Sequence, residues 1–348
     1  TPAQGLCDSF LQLDIASWKG HVSDVRGVDI IIPATENRRA LQAIDGLSHQ
    51  LGIPCIFDRS AYSISSSKHR SYALLDEIGI PVPQKWPECG FPLIIKPDGQ
   101  SGSKQVQVHT ELSEQLIHKL NQDSWVAEKY ITGQLYSLEV VGVPGNYETI
   151  LVTDLIIDPA FDCKRVIAPS GLESRIVDEF HAQARQIAEA VQLHGVMDVE
   201  AILHQGRLIT IEIDARLPSQ TPTAVYWSCN CNILEQFAGF LFPGFKNMEQ
   251  TFQSNHVVYE HIAVKNGSVL FCGEGSLAGR KKMRLLEDFY GADEAITDIY
   301  HAHSDDWGAT LIFAGPSLDE VQRKRAQFYS NIQAAFSLSR EWESNVFQ

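Results

Sequence analysis

Apolar residues recur along this chain at two spacings, and the change from one to the other divides it. Near the start, the apolar runs "GVDIIIPAT" (27–35) and "IPCIF" (53–57) flank "ENRRALQAIDGLSHQLG". In that middle stretch Leu41, Ile44, Leu47 and Leu51 return at helical intervals. Strand, helix, strand is the order of a parallel α/β layer, so 1–63 reads as part of a small α/β domain. The opening "TPAQGLCDSFLQLDI" has neither an initiator Met nor an early strand, and the expectation is that a strand and a helix precede it.

Period two takes over further on. After a helix in "SSSKHRSYALLDEIG", with serines at its start, comes the proline-rich "IPVPQKWPECGFP", making 64–89 a linker. "LIIKPD", "SWVAEKYI", "QLYSLEVVG" and "ETILVTDLIID" alternate as strands, and "ELSEQLIHKLNQ" is helical. Residues 90–155 therefore read as a sheet-plus-helix lid. The remainder, 156–348, begins with the long amphipathic helix of "ESRIVDEFHAQARQIAEAVQLHG". The strands "VMDVEAIL" and "RLITIEIDAR" follow, joined by "HQG". Then come a helix in "NILEQFAGFLF", strands "HVVYEHIAV" and "SVLFC", a polar loop near 273–282, and a final helix over 317–336.

Composition narrows the class. With 348 residues and 44% hydrophobic content the chain can bury a large core. A net charge of −15 argues against nucleic acid as a partner. No apolar run is long enough for a membrane span. Seven irregularly spaced cysteines read as reduced thiols of a cytoplasmic protein.

Chemistry concentrates in four places. On "LITIEIDAR", Glu212, Asp214 and Arg216 occupy alternate positions, and side chains two apart on a strand share a face. The short hairpin brings Glu200 beside them. Carboxylates so crowded repel unless a cation sits among them, and Mg2+ takes oxygen ligands. Ile211 and Ile213, between them, are expected to face a core. A solvated strand edge gives the same alternation, but the tail "LPSQTPT" suits a site lip better than a solvent turn. In "IIKPDGQSGSKQVQV", Lys96 ends an apolar strand and the small residues through Ser103 offer backbone amides to a phosphate. A plain hairpin loop reads the same way. "WVAEKYITG" can form a purine hinge, with backbone groups of Lys129 and Tyr130 reading the base, or an ordinary sheet edge. Lys68 opens its helix and can reach a phosphate or face water.

In this order and over nearly the whole chain, these residues resemble the ATP-grasp superfamily. The family's last motif runs Glu, Asn, Arg; here Asp214 takes the middle place and adds a negative charge. The resemblance implies an α/β and α+β fold with a partial N-terminal parallel α/β domain, a mobile lid subdomain and a C-terminal mixed domain. It implies a ligase that activates a carboxylate with ATP and joins it to an amine. ATP would contact Lys68, Lys96, Ser101, Gly102, Ser103, Glu128, Lys129, Tyr130 and Ile131. One or two Mg2+ ions would sit on Glu200, Glu212 and Asp214, with Arg216 and Lys96 acting on the transferring phosphoryl group.

The stretches "SLEVVG", "DCKRVIAPSG", "MDVEAI" and "IEIDARLPSQTPTAVYWSCNCNILE" are in addition similar to the ligases of pyrrolysine biosynthesis (PylC). These join (3R)-3-methyl-D-ornithine, or D-ornithine, to the ε-amine of L-lysine through an acyl phosphate, giving 3-methylornithyl-lysine. Substrates so rich in ammonium groups call for carboxylates and hydroxyls. Ser137, Glu139 and Asp198 suit the amines, and Ser219, Thr221 and Thr223 the rest of the pocket. Tyr226 suits an aliphatic stem and Arg165 a substrate carboxylate. Related enzymes imply a homodimer. The alternatives are a ligase of D-alanine–D-alanine or other amino-acid type, and a nucleotide-binding regulator without catalysis.

Overall fold

The computed structural model describes residues 2–17, 27–100, 102–103, 105–242, 244–245, 255–277, 279–280, 282–299, 306–336 and 338. Helix α1 (Arg38–Leu51) begins where the Asn37 side chain accepts the amides of Arg39 and Ala40, and ends at Gly52 with φ of 66°. Its inward face is turned from the expected one: Leu41 is fully buried, but Asp45 and Ser48 share that face. Ile44, Leu47 and Leu51 are only half-buried. The flanking apolar runs, expected as strands, meet in one parallel bridge between Ile31 and Cys55. Backbone bonds from Ile31 to Pro54 and from Ile56 to Ile31 hold it.

Two helices follow where one was expected. Helix α2 (Arg59–Ser65) is capped by Asp58, whose second carboxylate oxygen accepts the amide of His194 at 2.9 Å. That bond ties the N-terminal segment to the main body. Helix α3 (Lys68–Glu77) is capped by Ser67.

The next strands make a small sheet in the order β2-β1-β3, from β1 (Leu93–Pro97), β2 (Gln107–His109) and β3 (Trp125–Lys129). Helix α4 (Glu114–Leu120) closes it, burying Leu116 with Leu93 and Ile95. The two strands expected to complete this lid belong elsewhere. β4 (Leu135–Val143) and β5 (Asn146–Ile157) pair with each other inside a ten-stranded antiparallel sheet. Period two marks a strand but not its partner, which depends on which apolar faces can be covered.

That sheet continues with β6 (Cys163–Ala168), β7 (Gly195–His204), β8 (Arg207–Asp214), β9 (His256–Lys265) and β10 (Ser268–Phe271). It is completed by β11 (Arg284–Phe289), β12 (Ala292–Thr297) and β13 (Asp306–Gly315). The order is β11-β12-β13-β9-β6-β5-β4-β7-β8, with β10 on β9. Strands β6 and β11–β13 were not expected. β11 keeps most of its side chains in solvent and β13 is buried almost throughout, so neither alternates cleanly.

Helix α5 (Ser174–Ala190) lays Ile176, Phe180, Ala184 and Ile187 over Leu138, Val140, Val199 and Ile213. Helix α8 (Leu318–Phe336) covers β9 and β13 with Val321, Phe328 and Ile332. The opposite face of β4, β7 and β8 is left for the site, beside α6 (Thr221–Cys229) and α7 (Ile233–Leu241). Among the described residues no helix is long and apolar enough to cross a membrane.

Arg165, expected at a substrate carboxylate, lies instead in the core. Its Nε donates to Glu260 Oε2 at 2.8 Å. Glu260 also accepts from Arg325 Nε (3.0 Å) and Nη2 (2.8 Å) and from the Tyr329 hydroxyl (2.7 Å). The reason is charge pairing: a fully buried Glu260 on β9 needs cations, and β6 and α8 bring it two. Burial alone would raise Glu260, but Arg325 and Arg165 outweigh it and hold the carboxyl at about 2. Removing its charge leaves two buried arginines uncompensated. Glu260→Gln is expected to cost about 3–5 kcal/mol in denaturant unfolding near pH 7. Because the folded value is depressed, this stabilisation is complete above the ordinary carboxylate range and is lost as pH falls toward about 2. The gap between wild type and variant should therefore narrow below about pH 4.5.

Candidate active site

Register on three strands assembles the carboxylates. Glu200 pairs with Glu212 and Asp198 with Asp214 across β7 and β8. Across β4 and β7, Ser137 pairs with Glu200 and Glu139 with Asp198. Because side chains alternate, all six polar residues share one face, while Leu138, Val140, Val199 and Ile213 fill the core behind it. A β-bulge modifies the plan: Glu200 faces Glu212 but Ala201 faces Thr210, so β8 carries one extra residue. Ile211 consequently lines the cavity next to Glu212 while packing against the core cluster of Leu135 and Leu155, and Ile213 is buried.

The cavity in front of this face has a volume of about 490 Å³. Lys68, Lys96, Gly102, Ser103, Glu128, Lys129, Tyr130 and Ile131 line one side. Asp198, Glu200, Glu212, Asp214 and Arg216 line the other, with Ser137, Ser219 and Thr221. Residues separated by nearly 150 positions thus meet in one space. Thr223 and Tyr226 do not line it: both lie further along α6, and Tyr226 is 39% exposed. Ser101 lies outside the described residues.

Both lysines already have partners. Lys96 Nζ is 2.7 Å from Glu128 Oε1, which also accepts from the Tyr72 hydroxyl at 3.1 Å. The same hydroxyl lies 2.8 Å from Ile211 O, so its one proton is shared between the two acceptors and ties α3 to the bulge. Glu128, expected to contact ATP, is thus committed to Lys96. Lys68 Nζ donates to Gln100 O at 3.0 Å and lies 3.8 Å from Glu212. The small-residue turn is docked as well, since Ser103 Oγ donates to Phe161 O at 2.6 Å. The Tyr130 and Phe161 rings meet edge-on at 6.4 Å beside it. The hinge needs one correction. The amides of Lys129 and Tyr130 are bonded to Gln84 O and Pro92 O, so those two N–H groups are not free to read a base.

Carboxyl groups dominate the far wall. Burial, with Glu212 adding to it and Lys96 opposing, pushes Glu200 up to about 8. Burial raises Asp214 to about 7 even though Arg216 opposes it. Burial and then Asp214 raise Asp198 well above the usual range. Arg216 pairs with Asp214 at 2.9 Å and with Glu36 at 2.7 Å. Glu139 stands just behind the wall, fully buried, with neither oxygen hydrogen-bonded. Burial raises it to about 7; the nearby Thr221 hydroxyl opposes the shift without reaching hydrogen-bond geometry.

An all-oxygen set with an unpartnered Asp214 Oδ1 fits a hard divalent cation. Among the described residues, no three metal-binding side chains already converge on one point. Mg2+ commonly uses one or two carboxylates together with substrate phosphates, so the open set fits an ion that arrives with a nucleotide. Glu36, Tyr72 and Phe161 were not expected here. Glu36 could have been found, since it follows an apolar run and directly precedes a helix cap. Tyr72 and Phe161 look like ordinary core and turn residues in sequence.

Comparison with known proteins agrees with this arrangement. Residues 65–220 match the ATP-grasp domain family. The 3-methyl-D-ornithine–L-lysine ligase of Methanosarcina acetivorans is 31% identical over 304 residues, covering 86% of this chain and 79% of that protein. The enzyme of the same name from Methanosarcina mazei is 30% identical, covering 89% and 80%. In fold, the chain is similar to biotin carboxylase from Campylobacter jejuni, with a TM-score of 0.67, 16% identity and coverage of 89% and 76%. It is also similar to an L-amino acid ligase from Bacillus licheniformis, with a TM-score of 0.58, 16% identity and coverage of 84% and 76%. With the residues of the cavity in the family's order, and with that identity sustained over most of both chains, this protein belongs to the ATP-grasp superfamily of ATP-dependent ligases, in the family of the 3-methyl-D-ornithine–L-lysine ligases.

Proposed function

We propose that the chain joins (3R)-3-methyl-D-ornithine to the ε-amine of L-lysine, consuming ATP and giving 3-methylornithyl-lysine, ADP and phosphate. The observation that carries this reading is the surplus of buried carboxylate. Glu200, Glu212 and Asp214 account for a metal, yet Asp198 and Glu139 remain on the same face, Glu139 with no hydrogen bond. Buried carboxylates without cations are costly, and a substrate carrying several ammonium groups supplies the missing charge. The similar Methanosarcina enzymes, named for such substrates, point the same way.

The chemistry follows from the residue types. A carboxylate is a poor acyl donor because its leaving group would be oxide. Its oxygen therefore attacks the γ-phosphorus of ATP, and ADP leaves. The amine nitrogen of the second substrate then attacks the acyl carbon of the mixed anhydride, phosphate leaves, and the amide remains after loss of a proton. Lys68 holds a phosphate by exchanging Gln100 O for phosphate oxygens, and Lys96 reaches the phosphates while keeping the buried Glu128. Glu200, Glu212 and Asp214 would hold one or two Mg2+ ions, which when bound supply a Lewis acid that offsets charge on the transferring group. Arg216 neutralises the same charge from the other side as a planar donor. Gly102, Ser103 and Phe161, on the cavity wall, exclude water from the acyl phosphate.

A product assay with ATP, Mg2+, L-lysine and either D-ornithine or its 3-methyl form tests the reading directly. Mass spectrometry should find an amide on the lysine side chain. A product joined only at the lysine α-amine would assign the chain to another amino-acid ligase type. Arg216→Ala should lower kcat by about 10²–10³ while leaving nucleotide affinity nearly unchanged; unchanged turnover would remove the arginine from the mechanism.

A further inference from the structure

The arginine at the centre of the cavity is held by a residue from outside the ATP-grasp region. Glu36 ends the loop between the apolar run 28–32 and α1. The cap that follows sets its direction, because Asn37 fixes the first turn by accepting the amides of Arg39 and Ala40. The loop leaves the carboxyl end of a parallel bridge, Ile31 to Cys55, and the carboxyl ends of parallel strands are where open α/β sheets take ligands. Glu36 Oε1 lies 2.7 Å from Arg216 Nη2, and Glu36 lines the same cavity as both lysines and the carboxylate wall.

Arg216 thus has two acidic partners of different kinds. Asp214 lies two residues away in the chain, and its side chain is 14% exposed. Glu36 comes from a separate element, and its side chain is 41% exposed. Glu36 is the solvent-facing half of this pair, since the Arg216 side chain is only 15% exposed. When Arg216 turns to an incoming anion, the outer partner is the one that gives way. Glu36 keeps its carboxylate on the cavity wall, one ion-pair length from the arginine. An α-amino acid carries a carboxylate and an ammonium on one carbon, and it can replace both halves of such a pair at once.

We propose that Glu36 receives the α-ammonium of the amino acid whose carboxylate is held by Arg216, which makes Glu36 the residue that selects an α-amino carboxylate over a plain one. The inference rests on the ligase reading above and deepens it. It assigns the donor to the junction of the N-terminal segment and the ATP-grasp body, leaving Asp198 and Glu139 to ammonium groups farther along the substrates.

The test compares two donors, D-ornithine and 5-aminopentanoate, which lacks only the α-amino group. ADP release and amide formation are measured with L-lysine, for wild type and for Glu36→Gln, which keeps an oxygen able to accept from Arg216. The wild type should favour D-ornithine by at least about tenfold in kcat/KM. The variant should lose about tenfold on D-ornithine and stay within about twofold on 5-aminopentanoate. Its nucleotide affinity should match the wild type, which also reports that it is folded. An equal loss on both donors would mean that Glu36 acts only through Arg216 and would overturn the inference, as would no loss on either. The ligase reading would stand in both cases. If the wild type itself releases no ADP with D-ornithine or its 3-methyl form, the ligase reading fails and takes the inference with it.

Discussion

Like charges crowded on one face of a sheet are the constraint around which this molecule is arranged. Glu139, Asp198, Glu200, Glu212 and Asp214 stand together on β4, β7 and β8, and burial raises the proton affinity of four of them. Left alone, such a face would take up protons or water. Three neighbouring elements supply positive charge. Helix α3 brings Lys68, β1 brings Lys96, and the end of β8 brings Arg216. The small sheet and its turn cover the opening. The ligands that an ATP-dependent ligase handles complete the balance, since metal ions and ammonium groups are cations, and phosphates occupy the lysines.

The empty site holds itself in readiness by pairing its charges internally. Lys96 rests on Glu128, Lys68 on Gln100 O and Glu212, and Arg216 on Asp214 and Glu36. Lys68 and Arg216 can turn to an incoming ligand, whereas Lys96 stays with Glu128, whose side chain is 1% exposed. The core network around Glu260 contrasts with this. There two arginines and a tyrosine saturate one carboxylate away from the cavity. That network joins β6, β9 and α8 and holds the wide sheet on which the site is built. The same residue types serve cohesion in one place and exchange in the other, and access to the cavity separates them.

Much of the site was legible because its chemistry lies on regular elements. Glu212 and Asp214 are two apart on a strand, and a short hairpin necessarily sets Glu200 beside them, so period and turn length sufficed. Lys96 at the end of an apolar strand and Lys68 at a helix start were legible for similar reasons. Arg165 misled because a charged residue in a strand looks the same whether it faces a ligand or a buried Glu260 nearly 100 residues away. Thr223 and Tyr226 misled because the segment after Arg216 becomes a helix, and its turns carry them away from the cavity.

Local order by itself determined the hairpin, the alternation of its faces, the helix caps and the sequence of cation-bearing elements, since each depends on neighbours within a few residues. The tertiary structure alone decided the rest. Assigning β4 and β5 to the large sheet depended on covering their apolar faces with α5. The bulge at Ile211 depended on how β8 meets β7. The arrival of Glu36 at Arg216 depended on how an N-terminal loop packs against residues 180 positions away. These are long-range pairings, settled by which charges and apolar faces can be satisfied together, and no short window of sequence contains both partners.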